Sequence, residues 1–279
     1  MSIKYVRTRK QKEAFFEMEF ENKLTLTVYA LIVELSSCFG MIMVLIVPSD
    51  LVGYIFPYRA KMPEFIPIDV QKVYVPLAII VIGFQNVAMD FLNVAFMNLT
   101  RCQLQMLNMS FDELNERKVG RVNVDPVKHL NSIIEHHTLI LNIRDQIESI
   151  FKYPMLVQFM FSLLIFALTG FQAFFQSNTS GLIMVYLYVG CILAELFVYC
   201  WFGTEVSEQN KTLAIRAYDS SWYNFDVKYR KSLVIFLMNA QRPFYFTAGG
   251  YLKLSLSMFG QILSKSYSFV ALLRQQYSD

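Results

Sequence analysis

Residues 155–175 read MLVQFMFSLLIFALTGFQAFF, a run without a single Asp, Glu, Lys or Arg. As a helix it rises about 30 Å, the thickness of a bilayer hydrocarbon core. Backbone polar groups find no water there, so a helix that pairs them internally is the form that can cross. Outward from this run, the same reading applies three more times. Leu24 to Val47 holds one ionisable residue, Glu34, and ends at Pro48, Ser49 and Asp50. Val73 to Met97 holds Asp90, and Gly181 to Phe202 holds only Glu195. A fifth run, Tyr251 to Leu273, is weaker, with Lys253, Lys265 and many Ser. Leu233 to Met238 is apolar but far too short to span. The chain therefore reads as all-α, a polytopic bundle of about five transmembrane helices.

The composition agrees. Of 279 residues 55% are hydrophobic and 17% are charged, against roughly 45–50% and 25% in soluble domains. Four Cys in such a length make no disulfide framework. A net charge of +3 gives no basis for nucleic-acid binding. Nothing in the sequence suggests an enzyme: no Walker loop, dinucleotide fingerprint, HExxH or GxSxG is present, and no cofactor is expected.

Orientation follows from Lys and Arg between the spans. Segment 1–23 carries six, 48–72 three, 100–154 seven, 176–180 none and 203–250 six, and the tail has Arg274. The alternation places the N-terminus in the cytoplasm and the C-terminus outside, and the plasma membrane is the expected location. The sequon at Asn178 then lies outside, where glycosylation is possible; those at Asn98, Asn108 and Asn210 lie inside and read as chance. The first 23 residues are charged throughout and do not read as a cleavable signal peptide.

The inner segments are patterned. Asp125-Pro126 is a helix start, and apolar residues recur with helical period from Val127 to Phe151, so a helix is expected to run on towards the third span with Pro154 at a kink or junction. The fourth span is expected to continue past Trp201, and 224–241 reads as an amphipathic helix stopped by Pro243. Such overshooting helices would pack into a cytoplasmic anchor bundle. His129 and His136 share a helix face beside His137 and Glu135, so a metal site is conceivable; a solvent-facing helix face is the better reading, and no metal is expected. Intramembrane acids are costly and often mark a pathway, but Glu34, Asp90 and Glu195 can equally bond a polar neighbour.

The most specific stretch is the C-terminal block. It runs Tyr199-Cys200-Trp201-Phe202-Gly203-Thr204-Glu205-Val206, then Ala217-Tyr218-Asp219-Ser220-Ser221-Trp222-Tyr223 and Met238-Asn239-Ala240-Gln241-Arg242-Pro243. It closes with Thr247-Ala248-Gly249-Gly250 and Ser266-Tyr267-Ser268-Phe269-Val270-Ala271-Leu272-Leu273. This ordered series resembles the C-terminal signature of insect odorant receptors. Phe56-Pro57 and Asp69 fit the same family's outer loop, and the resemblance covers nearly the whole chain.

The resemblance implies a seven-helix protein with its N-terminus inside, working as an odorant-gated non-selective cation channel. Its partners would be a small volatile odorant, the lipid bilayer, and olfactory co-receptor subunits in a heterotetramer. The spans match the family's third to seventh, so the chain reads as lacking the first two membrane helices, as a truncated or even non-functional receptor would. By position, 1–203 is the transmembrane bundle, 204–250 the cytoplasmic anchor and 251–279 the pore helix with an outer tail. The pore and gate candidates are Ser268, Leu272 and Gln275 on one face, with Phe269 on the alternative one. The subunit interface candidates are Trp222, Tyr223, Met238, Gln241 and Arg242. An apolar odorant pocket in the outer half would draw on Phe39, Met43, Tyr74, Ile80, Phe84, Tyr186 and Tyr188. Ordinary packing is the alternative for each residue. A gustatory-type receptor is the nearest rival, but its Thr-Tyr-hydrophobic-Gln-Phe ending is absent. A secondary transporter would want an internal repeat, and none is found.

Overall fold

The structure is a computed structural model that describes 11–31 (except 14, 18, 22, 26 and 29), 68–117, 125–175 and 179–278. Most of the first span, the loop after it, and Glu34, Phe39, Met43 and Asn178 lie outside these residues.

Three long helices carry the chain: α1 (Ile68–Arg117), α2 (Pro126–Phe175) and α3 (Thr179–Asp219). Asp125 starts α2, its carboxylate accepting from the Val127 N–H at 3.0 Å, with Pro126 in the first turn where its missing N–H does no harm. Pro154 sits inside α2, which passes through it unbroken. After α3 come a 3-10 turn (Trp222–Asn224), α4 (Val227–Ala240), two short strands β1 (Thr247–Ala248) and β2 (Leu252–Lys253), and α5 (Leu256–Ser278). The strands pair antiparallel, Thr247 opposite Lys253 and Ala248 opposite Leu252. Gly249 and Gly250 turn the chain between them at φ of 68° and 84°, a region closed to most side chains.

That hairpin corrects one expectation. The last helix begins at Leu256, not Tyr251, because two left-handed glycines and a strand pair occupy the preceding residues.

The chain divides into two compact units. One gathers Met1–Lys23, Val94–Met155 and Tyr199–Leu256; the other gathers Leu24–Asn93, Leu156–Val198 and Ser257–Asp279. The first has the interior of a water-soluble bundle. Leu104, Leu107, Phe111, Leu130, Leu213, Tyr229 and Phe236 are buried there. Asn210 helps close it: its amide donates to the carbonyls of Ala240 at 3.1 Å and Arg242 at 3.4 Å, groups that the end of α4 leaves free.

The second unit is turned inside out. Its buried residues include Asp90, Asn93, Ser162, Thr169 and Glu195, while Leu77, Val81, Phe84, Val157, Phe161 and Leu168 lie exposed. In water that arrangement would be unstable; in lipid, apolar groups belong outside and polar groups need partners inside. Among the described residues, three helices are long and apolar enough to cross a membrane. The protein is an all-α, multi-pass membrane bundle.

Candidate functional site

Within the apolar unit the polar residues converge. Asn86 and Asp90 are one turn apart on α1, Gln158 is on α2 and Glu195 on α3. The Gln158 amide nitrogen donates to Asp90 Oδ1 at 2.8 Å and also to Glu195 Oε1. Asn86 donates to Asp90 Oδ2 at 3.5 Å. An amide has two hydrogens, and here each serves a different carboxylate. Asp90 is 2% exposed and Glu195 8%, so these bonds replace the water both acids have lost. The two acids appear in the sequence as isolated charges in separate spans. Gln158 escapes a reading based on charge, since it is an uncharged amide in the one run without charges.

The same unit holds a cavity of about 460 Å³, lined by Met160, Leu163, Leu164, Phe166 and Ala167 of α2 with Lys265 and Ser266 of α5. Of the residues expected around an odorant, Tyr74, Ile80, Phe84 and Tyr186 are described with their side chains, and none of these four lines it. Tyr74, Phe84 and Tyr186 are exposed and Ile80 is half-buried. Tyr188 lies in α3, but its side chain is outside what is described, as are those of Phe269, Leu272 and Gln275 in α5. Ser268 is exposed, its hydroxyl donating to the Ser264 carbonyl at 2.9 Å.

In the soluble-like unit the histidines correct a second expectation. They do not form a solvent-facing face: His129, His136 and His137 are all buried. His136 Nε2 donates to Gln103 Oε1 at 2.8 Å and His129 Nε2 to the Ser110 carbonyl at 3.4 Å. His137 meets the Phe236 ring edge-on, centroids 5.2 Å apart, and its Nε2 has no hydrogen-bond partner. Among the described residues no cluster of His, Cys, Asp or Glu could hold a metal. The polar helix face was legible; that α1 and α4 cover it was not.

His137 precedes the apolar window of α2, and burial holds its pKa down at about 4. An unfolded histidine protonates near pH 6.5, so between these values the unfolded chain binds the extra proton. Stability is therefore full above about pH 6.5 and falls as pH drops towards 4. The thermal midpoint of the detergent-solubilised protein should decline across that window, and His137→Leu should flatten the decline. An unchanged slope in the variant would remove His137 as its source.

The expected interface residues fall at the two ends of α4, Trp222 and Tyr223 in the turn before it and Met238, Gln241 and Arg242 at its close. Tyr223, Met238, Gln241 and Arg242 are exposed. Trp222 is half-buried, its indole donating to the Tyr218 carbonyl at 3.1 Å. Sequence spacing places Val227, Val234 and Met238 on one stripe of α4, and all three are exposed. Tyr229, Leu233, Phe236 and Ala240 occupy the opposite face and are buried.

A sequence profile described as 7tm Odorant receptor matches residues 7–267. The chain belongs to the odorant receptor family. Odorant receptor 85c of Drosophila melanogaster is 30% identical over 150 residues, which cover 54% of this chain and 39% of that protein. Odorant receptor 22b of the same species is 26% identical over 192 residues, covering 69% and 48%. In fold, the chain is similar to the insect olfactory receptor OR5 from Machilis hrabei in complex with eugenol. The TM-score is 0.81 at 19% identity, over 96% of this chain and 70% of that one. The chain thus spans less than half the length of these curated relatives. The family is one of receptors, not enzymes, and its helical bundle is the one described above.

Proposed function

We propose that this odorant receptor chain is the ligand-binding subunit of an odorant-gated cation channel. It would assemble with olfactory co-receptor subunits in the plasma membrane, N-terminus in the cytoplasm and C-terminus outside. The observation that carries assembly is the double-sided apolar character of α4. One face already fills the core, yet Val227, Val234 and Met238 leave a second stripe uncovered. Ile235 and Tyr223 are exposed as well. An uncovered apolar patch of this kind on a folded surface marks an interaction site. Trp222, Gln241 and Arg242 supply the aromatic and polar rim of a subunit interface.

The last helix is the proposed conduction path, with Leu272 as the constriction and Ser268 and Gln275 alongside, Phe269 being the alternative. The odorant would sit among Phe39, Met43, Tyr74, Ile80, Phe84, Tyr186 and Tyr188 in the outer half. That a family relative holds eugenol supports a small volatile of this class. Asn178 is the proposed glycosylation site.

Expressed with the co-receptor, the chain should give an odorant-evoked cation current that it does not give alone. A robust current from the chain by itself would sink the assembly reading. Met238→Asp puts a charge on the exposed stripe without touching the core. It should leave the thermal midpoint unchanged while cutting co-purification with the co-receptor by roughly tenfold or more. Equal recovery of the complex would place the interface elsewhere.

A further inference from the structure

We infer that Gly203 and Thr204 of α3 are positioning residues for the last helix, the joint through which displacement of α3 reaches it. The inference rests on the channel reading above, with α5 as the pore helix. The motif Phe202-Gly203-Thr204-Glu205 stands out in the sequence without an evident task there. Glycine inside a helix costs about 1 kcal/mol relative to alanine, so Gly203 in the interior of a 41-residue helix has a reason to be glycine. It is not a backbone twist, since the positive-φ glycines among the described residues are Gly249 and Gly250.

The reason is closeness. A Cβ at position 203 would lie 2.5 Å from the Leu254 carbonyl oxygen and 2.8 Å from the Leu254 Cβ. Those are backbone and first side-chain atoms, and they cannot swing aside. The missing side chain lets the segment leaving β2 lie directly on α3, with Leu254 buried.

Thr204 then fixes that segment. Its hydroxyl donates to the Cys200 carbonyl at 2.9 Å and accepts from the Leu256 N–H at 2.9 Å. Leu256 is the first residue of α5, and the first N–H groups of a helix have no partner within it. Thr204 thus caps α5 from another helix, using the hydroxyl as donor and acceptor at once. Glu205, next along, pairs with Arg101 at 3.6 Å, and Arg101 lies over the Phe202 ring.

The hairpin is tied on its other side to α2. Gly249 N–H donates to the Lys152 carbonyl at 2.8 Å, and the Thr247 hydroxyl donates to the Glu148 carboxylate. Leu254 N–H closes the loop on the Phe246 carbonyl at 3.0 Å. The origin of α5 is therefore held to a fixed site on α2 and gripped directly by α3. A shift of α3 at residues 203–204 moves the first residue of α5 with it, and α5 is helical from there to Ser278.

Thr204→Val keeps the shape and loses both hydrogen bonds; Thr204→Ser keeps both. Each is co-expressed with the co-receptor. The probe is whichever volatile in a fixed panel of phenols, esters and ketones, eugenol included, drives the largest current in the unaltered chain. Surface amount, spontaneous current and evoked current are read together. Thr204→Val should keep its surface amount and lose at least about fivefold in the ratio of evoked to spontaneous current. Thr204→Ser should restore the ratio, and Gly203→Ala should lower it in the same direction. A normal ratio in Thr204→Val at normal surface amount overturns the joint. So does a fall in current that only tracks surface amount, because packing alone explains that. An unaltered chain with no current alongside the co-receptor overturns the channel reading itself, a distinct result.

Discussion

Gln158→Leu should all but eliminate folded receptor. The substitution preserves bulk in an apolar stretch, and hydropathy alone would favour it. The structure points the other way, because both Asp90 and Glu195 take a hydrogen from this one amide. Removing it takes one donor from each of two buried acids, which costs about 3 kcal/mol or more in all. Total stability is typically about 5–15 kcal/mol, so the loss is a large fraction of it. Surface biotinylation and the thermal midpoint in detergent are the measurements, and both should fall sharply. Adding Asp90→Asn and Glu195→Gln should bring much of the protein back, because amides carry no charge and bring their own donors. Gln158→Leu with an unchanged midpoint would show that the acids find solvent or other donors, and the node would lose its structural role.

Phe236→Ala is expected to have the other large effect. Phe236 is 3% exposed and joins three helices in one unit: its ring is 5.4 Å from Phe111 on α1 and 5.2 Å from His137 on α2. Truncating a buried Phe costs about 3–5 kcal/mol through lost transfer energy and the cavity left behind. The thermal midpoint should drop accordingly. Phe111→Ala in the same protein should add less than its own separate effect, because the rings share one contact. Met238→Ala, on the exposed stripe of the same helix, is the control and should stay within about 0.5 kcal/mol of the unaltered protein. Equal losses at 236 and 238 would mean that α4 buries both of these faces.

Helix class, membrane residence and the three spans seen among the described residues could be read without coordinates, because lipid imposes them locally. A run such as 155–175 has one stable form in a bilayer, whatever surrounds it. The C-terminal series was legible for a different reason: its residue types recur in order, and the profile match over 7–267 agrees. Boundaries were less legible. The start of α5 slipped by five residues because a hairpin of two-residue strands carries no periodic signal, only the glycine pair.

Partnership was what the linear pattern could not express. Asp90 and Glu195 lie 105 positions apart in separate spans, and nothing along the chain says that Gln158 meets both. The histidines show the same limit in the soluble-like unit. Their shared face was visible in the spacing, but its burial depends on Gln103, Ser110 and Phe236 from other helices. Periodicity reports which side of a helix a residue takes; it carries no information about what packs there. Hydropathy and capping act over one or two turns and are written in the chain itself. Satisfying a buried carboxylate, covering a helix face or letting Leu254 rest on Gly203 requires atoms from distant segments to arrive at one place, and folding alone brings them there.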